Sequence, residues 1–510
     1  SLLEVWRKHK DIMEFFLILL TLITLAYLAI RRHYSYFEQH NVVFEKPNIF
    51  LGNMHQVGKT QPLKQPFYDF YQKFKGKALF GGFYLSLRKA VILLDLNLIQ
   101  QVLITDFNEF AARGNYYNIK DDPLSGHLFN LDGPKWKRMR AKLTPTFTSG
   151  KMRFMFPCVV EVGQRFVQVL SQLLDNNNNN TEEGLEIREL LARFTTDVIG
   201  SCAFGLDCNS LKDPNTQFRL MGKKAFTTRR HGRLVFSFAQ AYPNLARKFG
   251  IALSPQDVTD FMMNVVKQTV EYREREKIHK NDFMNLLIEL KNRNDTEGLS
   301  LEEIAAQAFV FFLAGFETSS STMGFALYEM AVNQHIQKKA RQEINDVLKK
   351  YNELTYEGVK ELKYLQQVLF ETMRKYSIAS ITMRKALNDY KVPNSPYTIE
   401  KGMVIIIPID AIHHDPEIYP NPSEFIPERF TPEEIAKRHS MSWLPFGEGP
   451  RNCIGLRFGK MQAMIGLALL LKNFNFTLSS KTPVPLEYDE KSFVLTAKGG
   501  IFLKLEKLKE

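Results

Sequence analysis

The chain begins polar, turns uniformly apolar, and from about residue 31 mixes apolar and polar positions to its end. Phe15 to Ile30, F-F-L-I-L-L-T-L-I-T-L-A-Y-L-A-I, carries no charge. With Met13 and the flanking aromatics it nearly reaches the ~20 residues that cross a bilayer as a helix. No small-residue cleavage site follows, so the pattern predicts an uncleaved signal anchor rather than a removed leader. Arg31, Arg32 and His33, then Tyr34, Tyr36 and Phe37, put the bulk of the chain on the cytoplasmic side with an aromatic belt at the interface. The basic side chains within residues 1–12 oppose that orientation. A natural start at Met13 removes the conflict, and those twelve residues are then an extension.

Beyond the anchor, Pro47 to Gly52 reads as a turn-rich connection. Ala78 to Ser86 and Ala90 to Leu94 read as strands of a small sheet. Phe218 to Met262 shows no clean period and is expected to be irregular, aromatic and basic. Asn176 to Asn180 is expected to be an exposed loop tip. Ser300 and Glu303 form a capping box that opens a helix predicted over Leu301 to Val332. At 1.5 Å per residue it would be roughly 48 Å long. Ala305 to Leu313 is apolar around nearly the whole circumference, which buries it. A further helix is expected from about Glu357 to Tyr376. No internal repeat appears.

Composition narrows the class. At 510 residues, 45% hydrophobic and 24% charged, the chain is an ordinary globular protein with 40 Phe available for a large apolar interior. Its net charge of +12 is scattered and accompanied by no nucleic-acid motif, which favours an anionic membrane or an acidic protein partner. Four cysteines, Cys158, Cys202, Cys208 and Cys453, are too few for a disulfide framework. Cys158 and Cys202 read as inert core residues, in keeping with a reducing compartment.

Candidate chemistry concentrates in P-F-G-E-G-P-R-N-C-I-G, Pro445 to Gly455. Gly447, Gly449 and Gly455 let backbone approach a ligand closely. A thiolate at Cys453, with nearby amides free to donate to it, is suited to ligating iron. Arg451 could grip a carboxylate in its fork. Alone, the stretch also reads as a Gly-rich surface loop with an idle cysteine. Trp136 and Arg140 share one helix face at i, i+4, another donor pair for a carboxylate, or simply the anchor of a solvated basic helix. Within the long helix, Glu317 and Thr318 are costly to bury unless bonded. Gly315 weakens the helix there and is expected to allow a local bulge with a freed carbonyl. The plainer alternative is a core helix whose Thr bonds back to the preceding turn.

Phe446, Gly449, Arg451, Cys453 and Gly455 fill F-x-x-G-x-R-x-C-x-G, which resembles the haem loop of the cytochrome P-450 family. A-G-F-E-T-S, Ala314 to Ser319, is similar to the family's oxygen-binding helix motif, and W-x-x-x-R at Trp136 and Arg140 to its propionate-binding helix. The resemblance implies a mainly α fold with small β-sheets (α+β), an anchor in residues 1–35 and a single haem-thiolate domain in 36–510. It implies haem b with Cys453 as axial ligand, O2 as co-substrate, and propionates held by Arg451, Trp136, Arg140 and Arg384, with His127 as a further candidate. Phe446, Gly449, Gly455 and Ala314 would lie against the haem. Thr318 would bond the bound oxygen and Glu317 relay protons. Glu371, Arg374 and Arg429 of P-E-R-F form the family's buried bracing network.

The match loosens after Arg374. Ser377 and Ile378 replace two prolines usual in the family, and Met383 stands where Asn is usual. That segment borders the substrate. The pocket is expected to include Phe129, Phe309, Ala314, Ile378 and Phe493 and to favour uncharged ligands.

The wording of F-V-F-F-L-A-G-F-E-T-S-S-S-T-M is similar to insect microsomal family-6 members. It implies a monooxygenase in the endoplasmic reticulum membrane, facing the cytosol, that oxidises plant toxins, insecticides and other lipophiles. Electrons would come from NADPH through NADPH–cytochrome P-450 reductase, with cytochrome b5 as a further donor. The basic helix around Trp136 with Arg457 and Lys460 would be the docking face. A haem-thiolate isomerase or dehydratase, and a non-catalytic lipophile-binding protein, are the alternatives. The acid–alcohol pair Glu317 and Thr318 counts against both.

Overall fold

The computed structural model describes residues 2–176, 183–280, 282–292 and 298–508, so most of the asparagine run, 177–180, lies outside them. The first helix, Leu2–Tyr34, is long and apolar enough within Trp6–Tyr34 to cross a membrane, an 18-residue window there having mean hydropathy 2.3. Its polar groups are satisfied internally: Thr21 and Thr24 donate to the carbonyls of Leu17 and Leu20, each at 2.8 Å. The helix joins the globule through an aromatic knot. Tyr34 meets Tyr84 edge-on at 4.9 Å, Phe37 lies 5.1 Å from the same ring, and the Tyr84 hydroxyl donates to the Tyr34 carbonyl.

Helices dominate, with small sheets at the edges. The largest sheet orders its strands Phe80–Leu85, Arg88–Leu93, Val404–Ile407 and Thr382–Lys385. Arg88–Leu93 pairs in parallel with Val404–Ile407, and the other pairs are antiparallel. Val91, Ile92, Ile405 and Ile406 are β-branched and buried, which suits central strands covered on both faces. This sheet core sits beside a larger helical core.

The axis of the helical core is Leu301–Val332, opened by the Ser300–Glu303 capping box with both bonds formed. Three expectations are revised. The helix foreseen from Glu357 is two helices, Tyr356–Glu361 and Lys363–Lys375, because the Glu343 carboxylate accepts the Tyr364 and Leu365 amides at 2.7 and 2.9 Å and caps a new start. The 218–262 region is helical: Gln217–Thr227, Arg233–Ala241, Pro243–Lys248 and the start of Gln256–Glu276. Pro243, Gly250 and Pro255 cut it into pieces too short to show a period. The central helix also carries no bulge at Gly315.

Candidate functional site

The loop before Gly455 is held by its own backbone. Gly447 and Gly449 sit at φ +67° and +75°, and a Cβ on Gly449 would lie 2.0 Å from the Leu103 carbonyl oxygen. Only glycine fits there. The Gly447 amide donates to Leu444, Asn452 to Gly449, and Cys453 to Phe446 at 2.8 Å. This winding delivers Cys453 to the mouth of the helix Leu456–Asn473, which has Gly455 as N-cap. Cys453 itself is exposed, although Arg451 and Phe458 beside it are buried. The surrounding protein still desolvates the thiolate and pushes the thiol pKa up. The Gly455 amide, Arg113 and Arg140 act in the opposite direction.

Four guanidinium groups gather near this sulfur. Arg140 donates to the Asn452 carbonyl and side chain, both at 2.9 Å, tying the helix Gly133–Leu143 to the loop. Arg451 pairs with Asp132 at 2.9 Å, bonds the Leu131 carbonyl and lies 4.6 Å over the Trp136 ring. Arg113 donates to the carbonyls of Phe129 and Arg451. Arg384, on its strand, donates to the Met383 carbonyl, and burial together with Arg451 pushes its pKa down to about 9. The buried Nε of Arg113, Arg384 and Arg451 and Nδ1 of His127 have no acceptor among the described residues. Each such group costs about 1–3 kcal/mol unless something accepts from it. A haem fits this donor set, with two propionates for the arginines and an iron for the thiolate.

On the central helix, Ala314 is exposed and Thr318 half-buried, while Phe309, Phe312, Phe316 and Glu317 are buried. An open stripe therefore runs along one side of an otherwise packed helix. The Thr318 hydroxyl donates to the Ala314 carbonyl at 2.6 Å, the back-bonded alternative. Gly315 serves close packing instead of a bulge: a Cβ there would lie 2.3 Å from Ile199. Thr195 donates to the Phe316 carbonyl at 2.9 Å from the same neighbouring helix, Ile187–Ile199. Glu317 turns to that helix and ion-pairs with Arg188, whose Nε reaches the Ser321 hydroxyl at 3.4 Å.

The family model described as "Cytochrome P450" matches residues 43–504. The chain belongs to the cytochrome P450 family. It is 51% identical to "Cytochrome P450 6a8" of Drosophila melanogaster over 96% of this chain and 98% of the relative. It is 45% identical to "Cytochrome P450 6A1" of Musca domestica over 96% and 97%. The protein is a P450 monooxygenase, and membership implies a haem held by a cysteine thiolate and the use of O2.

In this P450 the bracing residues meet. Glu371 receives Arg374 in a bidentate pair at 2.7 and 2.8 Å, and Arg429 lies 3.4 Å away. Breaking such a buried pair from one side costs about 3–5 kcal/mol. Arg374 also donates to the carbonyls of His413 and Glu424. Phe129 is 45% exposed and stacks 4.0 Å under Arg113; the His127 and Phe309 rings are 6.5 Å apart. The Ile378 carbonyl accepts the Leu495 amide at 3.2 Å, bringing the Phe493 segment alongside, with Phe493 itself 67% exposed.

Sequence reasoning missed Arg113, Arg188 and His413. Arg113 follows an apolar run with no companion at a telling spacing. Arg188 is one arginine among many on amphipathic helices. His413 stands in H-H-D-P, but its partners are remote in sequence.

Proposed function

We propose that this P450 is anchored by Trp6–Tyr34 in the endoplasmic reticulum membrane, with its globule on the cytosolic face. It inserts one oxygen atom of O2 into uncharged lipophilic small molecules, plant toxins and insecticides among them. Electrons come from NADPH through NADPH–cytochrome P-450 reductase, with cytochrome b5 as a second donor. The observation that carries this reading is the cluster of Arg113, Arg140, Arg384 and Arg451, two of which, Arg113 and Arg140, act directly on the exposed Cys453.

When bound, haem b supplies the one-electron and O2 chemistry. Cys453 would hold the iron, and Gly455 would donate its amide to the sulfur. The four arginines, Trp136 and His127 would hold the propionates and fix the ring's tilt. Phe446, Gly449 and Gly455 keep the thiolate loop compact, and Ala314 keeps the facing helix low. Thr318 holds a hydroxyl on the open stripe, where turning from the Ala314 carbonyl lets it donate towards the reacting atoms. Glu317, ion-paired with Arg188 and beside Thr318 in the helix, is the carboxylate that would relay protons towards it. Phe129, Phe309, Ile378 and Phe493 offer apolar surface to substrate and help to exclude water.

The test is Cys453→Ser. The variant is expected to lose the long-wavelength ferrous-CO band of a thiolate-bound haem, and an unchanged band would assign the ligand elsewhere. Turnover of a spectrally binding lipophile, with and without reductase and NADPH, separates this reading from the isomerase and the ligand trap.

A further inference from the structure

Cys158 and Cys202 take no part in the site above, yet they meet each other. Cys158 is half-buried on the long helix Ser149–Asn176. Cys202 is buried in a π-turn, Gly200–Phe204, that continues the helix Ile187–Ile199 and ends at Gly205 in the left-handed conformation. A π-turn inserts a residue and reorients the side chains that follow, a feature frequent at functional sites. Here the two sulfurs stand 3.7 Å apart, with the Cys202 thiol donating to Cys158. That is contact distance for sulfur. Only a modest side-chain movement separates it from the ~2.05 Å of a covalent bond.

The two thiols are not equivalent. Cys158 is reachable, and the bond from Cys202, Ser201 and nearby Arg165 favours its thiolate, lowering its pKa. The same contact and full burial raise that of Cys202. Cys208 packs against Gly200 with its thiol pushed up by burial, and it has no sulfur partner among the described residues.

We infer that Cys158 and Cys202 form a peroxide-responsive dithiol in which Cys158 is oxidised first and Cys202 closes a disulfide. The oxidant is hydrogen peroxide, the product when reduced oxygen escapes a monooxygenase without entering substrate. The Cys158 thiolate attacks one peroxide oxygen, the O–O bond breaks, and hydroxide leaves, giving a sulfenic acid. The Cys202 sulfur then displaces the sulfenic oxygen as its thiol proton is lost, and water leaves. In sum, two thiols and one H2O2 give one disulfide and two waters. In a reducing compartment the link is transient and reversed by thiol exchange. The π-turn packs on the central helix, so the link records peroxide release next to the element that carries Thr318.

The test uses full-length holoenzyme in detergent, titrated with hydrogen peroxide and mapped as non-reduced peptides by mass spectrometry. A Cys158–Cys202 cross-linked peptide is expected, reversed by dithiothreitol, with Cys208 still alkylatable. Cys202→Ser should trap a sulfenic acid on Cys158 that reacts with dimedone. Cys158→Ser should reduce both the cross-link and dimedone labelling of Cys202 to background. Each variant's ferrous-CO spectrum reports that it has folded. The inference is overturned if folded Cys158→Ser leaves Cys202 oxidised as fast as in the parent. It is equally overturned if the parent keeps both thiols alkylatable at peroxide levels that oxidise Cys158 in Cys202→Ser.

Discussion

His413 accepts the backbone N–H of Leu444 through Nε2 at 2.8 Å. The ring proton is therefore on Nδ1, which faces the Ser377 hydroxyl at 2.8 Å, and Ser377 in turn reaches the Arg374 carbonyl at 3.3 Å. One neutral imidazole thus ties the exit of the Glu371–Arg374 helix to the residue before Pro445. Ser377 fixes that exit through its hydroxyl.

Burial pushes the pKa of His413 down to about 3, and that of His127 likewise. In the unfolded chain each titrates near 6.5, so the unfolded state binds the extra protons between these values. The stabilisation from keeping these rings neutral is complete above about pH 6.5 and is lost as pH falls towards 3, at about 1.4 kcal/mol per unit for each histidine. His413→Gln can still accept from Leu444 without titrating. It should remove about 2 kcal/mol of the parent's loss between pH 6.5 and 5. Denaturant midpoints at the two pH values measure this, and an unchanged pH slope would defeat it.

Thr318→Ala removes the hydroxyl bonded to the Ala314 carbonyl. Haem spectra should be unchanged, while product formed per NADPH falls several-fold and peroxide rises. Thr318→Ser should restore most of the coupling. An unaltered ratio in the alanine variant would take Thr318 out of proton delivery.

Gly449→Ala places a Cβ against the Leu103 carbonyl at positive φ. It should cost at least about 1–3 kcal/mol and lower haem retention. Gly150→Ala, on an exposed helical turn with nothing within 4 Å of the added Cβ, should be neutral or stabilise by less than about 1 kcal/mol. Thermal midpoints and the ferrous-CO yield of the two variants provide the comparison. Equal behaviour would mean the loop has room to shift.

Electron delivery gives the last expectation, and the structure changes which charges test it. Arg138 pairs with Glu303 at 2.9 Å, and Lys460 is half-buried 4.5 Å from the Phe370 ring. Lys135, Lys137 and Arg457 are exposed. Replacing these three with Glu should slow first-electron transfer from the reductase about tenfold or more at low salt, with the gap narrowing as salt rises. Substrate spectral shifts should be unaffected. Equal stopped-flow rates would sink the docking face.

Much of this was legible because the signals are local. The Ser300–Glu303 box and the apolar stretch from Ala305 delimit the central helix without help from elsewhere, and the haem loop's residue types lie within ten positions. The illegible parts depend on distant partners. The helix break at Leu362 is imposed by Glu343 from another helix. Arg113 acquires its place from Phe129 and Arg451. Gly315 looks like a weak point in its own helix, and only the proximity of Ile199 shows that its missing side chain is what packing requires.

That proximity divides the molecule mechanically. With Ile199 filling the place of a Gly315 side chain and Thr195 fastened to the Phe316 carbonyl, the central helix can neither roll nor slide. The wall behind Thr318 is rigid. The segment from Gln217 to Lys248 is built differently, as three short helices interrupted around Gly232 and Pro243. A substitution that disturbs one of those pieces has no continuous helix through which to reach Thr318, whereas a side chain added at Gly315, one helical turn from Thr318, would press directly on Ile199.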